Sequence, residues 1–293
     1  MLEGFVQRRV ATRTPGVSIN LKTAGSGPPL LMLHGYPQTH AMWHTVAPAF
    51  TKDFTVILPD LRGYGDSDKP APLPGDSNYT KRAMGQDMVE VMEALGYPRF
   101  RLVGHDRGAR VAYRLALDHP DRVEKLVILD IIPTVEHFER LDLSSAVGSF
   151  HMYMMAQPSP LPEKFIGADP EFWLRYAIDK WAAKKDFVDP AAMAEYVRCF
   201  VKPETIAATC SEYRVAVTTD REHDIADREA GRKIKCPMLT MWGASGRPYK
   251  AKGVMESWRR WAEDVTGEGA DCGHFIPEEA PEATVRALAA FLP

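Results

Sequence analysis

The chain has 293 residues, of which 45% are hydrophobic and 26% charged, and a formal net charge of −3. That is room for one large α/β domain with an insertion, and the balance gives no sign of a nucleic-acid or bulk membrane partner. Four cysteines, Cys199, Cys210, Cys236 and Cys272, show no C-x-x-C spacing, so reduced thiols and a cytoplasmic location are expected.

The opening residues lack a basic stretch followed by an apolar one, and no apolar run approaches the ~20 residues of a membrane span; neither a signal peptide nor a transmembrane helix is expected. Residues 5–12 and 17–23 alternate and predict an antiparallel hairpin. Residues 29–33 predict a buried strand that runs into His34-Gly35-Tyr36-Pro37, and residues 54–58 another that runs into Asp60-Leu61-Arg62-Gly63-Tyr64-Gly65. A helical pattern covers residues 81–95. The apolar run 100–103 predicts a strand, followed by Gly104-His105-Asp106-Arg107-Gly108 and a helix over 109–118. Residues 124–130 and 238–242 predict two more strands, and 279–291 a closing helix. Strands alternating with helices imply a mostly parallel central sheet flanked by helices, with the chemistry at the carboxyl ends of the strands.

Residues 134–234 break that rhythm. They hold no convincing buried strand, are rich in Trp, Tyr, Met and helix formers, and carry Pro158, Pro160, Pro162, Pro170, Pro190 and Pro203. They predict a helical cap inserted into a core made of residues 1–133 and 235–293.

A strand, a Gly-x-x-x-Gly turn and a helix form the setting of a nucleophile elbow, which exposes one side chain on a sharp turn. Here that side chain is Asp106, where a hydroxyl-activating hydrolase would carry Ser. A carboxylate has no proton to lose, but it can attack a saturated carbon and form an ester with the protein. Hydrolysis of that ester needs a base, and His274, in a Gly turn before the last helix, has the right place in the chain order. His119 and His223 read as surface residues. The acid that orients the base is expected at a strand end; Asp130, flanked by aliphatics, is the candidate, against the plainer reading of a helix cap. The backbone N–H groups of Tyr36 and Arg107 are the expected oxyanion donors. Arg107 and Arg110 share one face at a helix start, where two cations oppose the macrodipole. They point to an anionic substrate held by planar guanidinium forks, although a surface ion pair would also explain Arg110.

On these motifs, together with Leu129-Asp130-Ile131-Ile132-Pro133-Thr134, Glu163-Lys164-Phe165-Ile166-Gly167-Ala168-Asp169-Pro170 and Gly273-His274-Phe275, the chain resembles the fluoroacetate (haloacetate) dehalogenases of the α/β-hydrolase superfamily along nearly its whole length. The resemblance implies an α/β-hydrolase fold, an Asp106-His274-Asp130 triad, a substrate carboxylate on Arg107 and Arg110, and a halide received by His151 and Tyr213. It implies no metal or organic cofactor, a small haloacid substrate and a possible homodimer. One position departs: the family's halide-pocket Trp is here Met152. A thioether offers no N–H donor, so chloro- and bromoacetate are expected to be better substrates than fluoroacetate. Epoxide hydrolysis by the same triad, with Tyr153 or Tyr213 as proton donor, is the rival reading. A protein that binds a small acid without turnover is a further one.

Overall fold

The computed structural model describes residues 1–245 and 253–293. Its eight strands form one sheet in the order β1-β2-β4-β3-β5-β6-β7-β8. β1 (Val6–Ala11) and β2 (Ser18–Ala24) make the expected hairpin, and β2 pairs antiparallel with β4 (Thr55–Pro59). From β4 onward, β3 (Pro29–Leu33), β5 (Phe100–His105), β6 (Val123–Leu129), β7 (Met238–Gly243) and β8 (Val265–Ala270) run parallel. The central strands are aliphatic because helices cover both faces: Leu30 to Leu33 and Leu126 to Leu129 have no exposed surface. α1 (Lys81–Ala94) and α2 (Asp106–Asp118) pack together beside β5.

Between β6 and β7 the chain is helical. The elements are α3 (Thr134–Glu139), α4 (Leu143–Gly148), α5 (Phe150–Met155), α6 (Leu161–Gly167), α7 (Pro170–Trp181), α8 (Pro190–Phe200), α9 (Pro203–Val217) and α10 (Thr219–Glu229). The prolines that set this stretch apart punctuate it. Pro170 and Pro190 open α7 and α8 behind the capping carboxylates of Asp169 and Asp189, and Pro203 opens α9; a missing N–H costs nothing in a first turn. Among the described residues no helix is long and apolar enough to cross a membrane.

Three elements differ from the sequence reading. β8 carries two glycines and mostly exposed side chains, so it shows no alternation, and its pairing with β7 defines it. The helix Val254–Trp261 was also unread; it buries Val254, Ser257, Trp258 and Trp261. The closing helix is two: a short turn, Ile276–Glu279, and a helix, Pro281–Phe291. Pro281 has no N–H to continue the ladder and drives Ala280 out of helical conformation, to φ −139°.

Buried polar ties hold the helical insertion to the sheet. Asp224 of α10 accepts from Tyr113 at 2.9 Å, Arg114 at 3.0 Å and the Val135 N–H at 3.1 Å. Glu278 accepts from the Tyr196 hydroxyl of α8 at 2.9 Å and from the Gln38 amide. Burial, helped by neighbouring Glu279, pushes the Glu278 carboxyl up to about 8 against the donors Tyr196 and Gln38. A folded pKa above the unfolded one gives stability that is whole below the unfolded value, 4.5, and is lost as pH rises through about 8. Thermal melts should therefore fall by several degrees between about pH 6 and about pH 9, and Glu278→Gln should flatten the decline. A wild-type melting temperature that stays level over this range would contradict the assignment.

Candidate active site

The site begins with a strained residue. Asp106 has φ +47°, in the left-handed region that L-residues avoid. The strain is held by close backbone approach on either side. A Cβ on Gly108 would lie 2.2 Å from the His34 carbonyl oxygen, and one on Gly35 would lie 2.5 Å from the Cβ of Asp106. Helix α2 therefore starts at Asp106, three residues earlier than its apolar pattern suggests, and the elbow packs directly on the end of β3. One carboxylate oxygen of Asp106 accepts the Tyr36 N–H at 3.0 Å. The expected second donor, the Arg107 N–H, lies in the first turn of α2, where the helix itself supplies no acceptor.

The other two triad candidates are brought to the same place. His274 Nδ1 is 2.6 Å from Asp130 Oδ2, and its Nε2 is 3.5 Å from Asp106 Oδ2. The Asp130 contact places a proton on Nδ1 and turns Nε2 toward Asp106. Asp130 also takes φ +56°, and its second oxygen accepts the Gly243 N–H at 2.9 Å. It does not cap α3, which starts behind Pro133 with no side-chain cap. Burial alone would push the Asp106 carboxyl up. The hydrogen bond and charge of His274, with the charge of Arg107, outweigh that and hold it well below the usual carboxylate range. Burial, with His274 beside it, pushes His105 down to about 3, so it stays neutral. Its Nε2–H donates to the His274 carbonyl at 2.8 Å. His119 and His223 are half-buried rather than on the surface, and neither lines the cavity.

A cavity of about 480 Å³ opens over Asp106; Arg107, Arg110, His151, Met152, Tyr213 and His274 all line it. The two arginines are engaged differently from the paired forks expected. Arg107 donates from Nε and Nη2 to the carboxylate and the backbone carbonyl of Glu212, both at 2.9 Å. Its buried Nη1 has no partner among the described residues. Arg110 donates from Nη1 to Thr134 Oγ1 at 2.8 Å, and is not paired with a surface acid. His151 and Tyr213 face each other, with ring centroids 5.8 Å apart. Sequence reasoning missed Trp181, at the end of α7. Its ring lies 4.4 Å from that of His151, and its carbonyl accepts the His274 N–H at 3.0 Å. It also missed Glu212. No local pattern marks either residue, because each meets its partners only across the fold. Among the described residues no group of three or more His, Cys, Asp or Glu is gathered as a metal site.

Residues 28–281 match the family described as alpha/beta hydrolase fold. A fluoroacetate dehalogenase of Burkholderia sp is 42% identical over 293 residues, covering 100% of this chain and 95% of that protein. The chain belongs to the fluoroacetate dehalogenase family of the α/β-hydrolase superfamily. A solved α/β-hydrolase-fold protein of Nostoc sp PCC 7120 is 51% identical with a TM-score of 0.97, covering 100% of this chain and 99% of that one. A soluble epoxide hydrolase of Corynebacterium sp. (strain C12) is 34% identical over 283 residues, covering 95% of each.

The packing of Gly35 against Asp106 gives a direct test. Gly35→Ala forces the elbow off β3, because the added Cβ meets Asp106 Cβ at 2.5 Å. Turnover should fall by roughly 100-fold, as a misplacement of about 1 Å can cost, with a smaller proportional loss of stability. Near wild-type turnover would show that the elbow does not depend on this contact.

Proposed function

We propose that this hydrolase of carbon–halide bonds converts haloacetate and water to glycolate and halide through an ester on Asp106. The observation that carries the reading is the buried Arg107 Nη1 without a partner, in a cavity that also holds the ionised Asp106. An unmet donor beside a carboxylate nucleophile suits an anionic substrate carrying its own leaving group. A neutral epoxide offers Nη1 an ether oxygen but no charge.

Arg107 and Arg110 hold the substrate carboxylate. Asp106 attacks the α-carbon in line with the carbon–halogen bond, and halide leaves toward His151 and Tyr213. His274, oriented by Asp130, takes a proton from water as it adds to the ester carbonyl of Asp106. The N–H groups of Tyr36 and Arg107 hold the oxyanion. Glycolate departs, Asp106 returns to the carboxylate, and the proton leaves through His274. Residues 134–234 serve as the cap and residues 1–133 and 235–293 as the core; the protein works in the cytoplasm, without nucleic acid or membrane as partner.

The rival epoxide reading draws on the Corynebacterium relative and on Tyr213. It would gain from a second cap tyrosine at the cavity, but Tyr153 is not among the residues lining it. Incubating the His274→Gln variant with chloroacetate should trap the ester on Asp106, detected by mass spectrometry; a protein that only binds the acid acquires no adduct. Met152 lines the halide side without an N–H donor. One missing charge-assisted hydrogen bond, roughly 1.5–3 kcal/mol, corresponds to about one to two decades in rate. Fluoride release from fluoroacetate should therefore be slower than chloride release from chloroacetate by about that margin, and Met152→Trp should narrow it. Equal or faster fluoride release by the wild type would refute this preference.

Phe172 and Tyr176 stack in α7, and both are exposed, as are Leu161 and Phe165 of the adjoining α6. An apolar surface of this kind supports a homodimer. Light scattering should give twice the monomer mass, and Phe172→Glu should shift the protein toward monomer.

A further inference from the structure

Two features of the chain have no part in this chemistry, Tyr64 of the Asp60–Gly65 motif and the buried Lys81. Both reach Arg107 through one carboxylate. Glu212 precedes Tyr213 in α9 and has no exposed surface. Its Oε1 accepts from Arg107 Nε and lies 2.6 Å from Lys81 Nζ, while Oε2 accepts the Tyr64 hydroxyl. Lys81 Nζ is also 3.7 Å from Asp220. Two cations, Arg107 and Lys81, and two anions, Glu212 and Asp220, are thus each more than nine-tenths buried in one cluster. Burial would raise the Glu212 carboxyl, but Arg107 and Lys81 hold it down at about 2, fully ionised.

Arg107 follows Asp106 directly in the chain. Opposite charges side by side in a low-dielectric cavity attract strongly, and an ion pair between them would occupy the carboxylate that has to attack. Yet no nitrogen of Arg107 comes within 4.0 Å of the Asp106 carboxylate. The guanidinium is drawn to Glu212 instead and lies 4.2 Å from the centroid of the Tyr213 ring.

We propose that Glu212, charge-balanced by Lys81 and oriented by Tyr64, is a positioning residue: it holds Arg107 off Asp106 and presents Nη1 alone to the substrate carboxylate. This rests on the reading of Arg107 as a carboxylate ligand. The substrate then meets a single nitrogen of Arg107, and Arg110 supplies the remaining donors. Releasing Arg107 from Glu212 turns it onto Asp106, which weakens substrate capture and attack together.

The test is a mutant cycle on chloride release from chloroacetate, comparing wild type, Glu212→Gln, Arg107→Met and the double variant. Glu212→Gln should lower kcat/KM by about ten-fold or more, with part of the loss in kcat. In the Arg107→Met background it should have no further effect, because its action runs through Arg107. The same proportional loss in both backgrounds would overturn the proposal in favour of a general structural role. Should Glu212→Gln fail to fold, the pair Lys81→Met/Glu212→Leu removes one charge of each sign and replaces a buried ion pair with apolar volume. It should show the same pattern. A crystal structure of either variant gives a readout independent of turnover. The guanidinium of Arg107 should move within ion-pair distance of Asp106, and an unmoved guanidinium would overturn the proposal. Absence of halide release by the wild type would instead sink the dehalogenase reading, and the crystal structure would still decide what sets Arg107.

Discussion

The site depends on one local constraint, the left-handed backbone at Asp106 pressed against the end of β3. A non-glycine residue at φ +47° costs on the order of 1–3 kcal/mol and persists only where its surroundings leave no alternative. Here Gly108 lets α2 approach the His34 carbonyl, and Gly35 leaves room for the Cβ of Asp106. The same turn brings the Tyr36 N–H onto the carboxylate and puts Arg107 and Arg110 near the start of α2. Asp130 repeats the device at the end of β6 with φ +56°. Two adjacent strands therefore present strained aspartates toward one histidine.

A second layer of organisation is electrostatic. The helical insertion meets the core through buried carboxyl groups: Asp224 on Arg114 and Tyr113, Glu278 on Tyr196 and Gln38, and Glu212 on Arg107, Lys81 and Tyr64. Desolvating such groups is costly, and an apolar interface of equal volume would often be as stable. What such polar contacts add is direction, since each carboxyl group accepts from donors fixed on separate elements. The insertion is thereby set in one orientation over Asp106. Trp181 contributes through its backbone as well as its ring, because its carbonyl holds the N–H of His274.

The contrast between Arg107 and Arg110 shows how far residue type falls short of role. Both are cations on one helix face beside Asp106, and from the sequence both suit a carboxylate fork. Arg107 meets a buried glutamate that takes two of its nitrogens, whereas Arg110 donates from Nη1 to a threonine hydroxyl and, at 3.4 Å, to the Ile132 carbonyl. The difference comes from α9, more than a hundred residues further along the chain.

The chain by itself determined the mostly parallel sheet, the helical stretch between two of its strands, and the placing of Asp106, Asp130 and His274 at strand ends or in a Gly turn. These are local signals: aliphatic runs of strand length, glycines at fixed offsets in a turn, prolines at helix starts. β8 gave no such signal because it is an exposed edge strand with two glycines and is defined by pairing alone. The helix Val254–Trp261 did carry one, with apolar Val254, Trp258 and Trp261 at helical spacing, and it went unread. Only the tertiary structure decided that Trp181 stands beside His151, that Glu212 holds Arg107, and that Asp130 reaches His274 at 2.6 Å. Each of these contacts joins residues far apart in sequence. The first two were fixed when the helices between β6 and β7 packed onto the sheet, and the third when the turn after β8 met the end of β6; no local pattern encodes those choices.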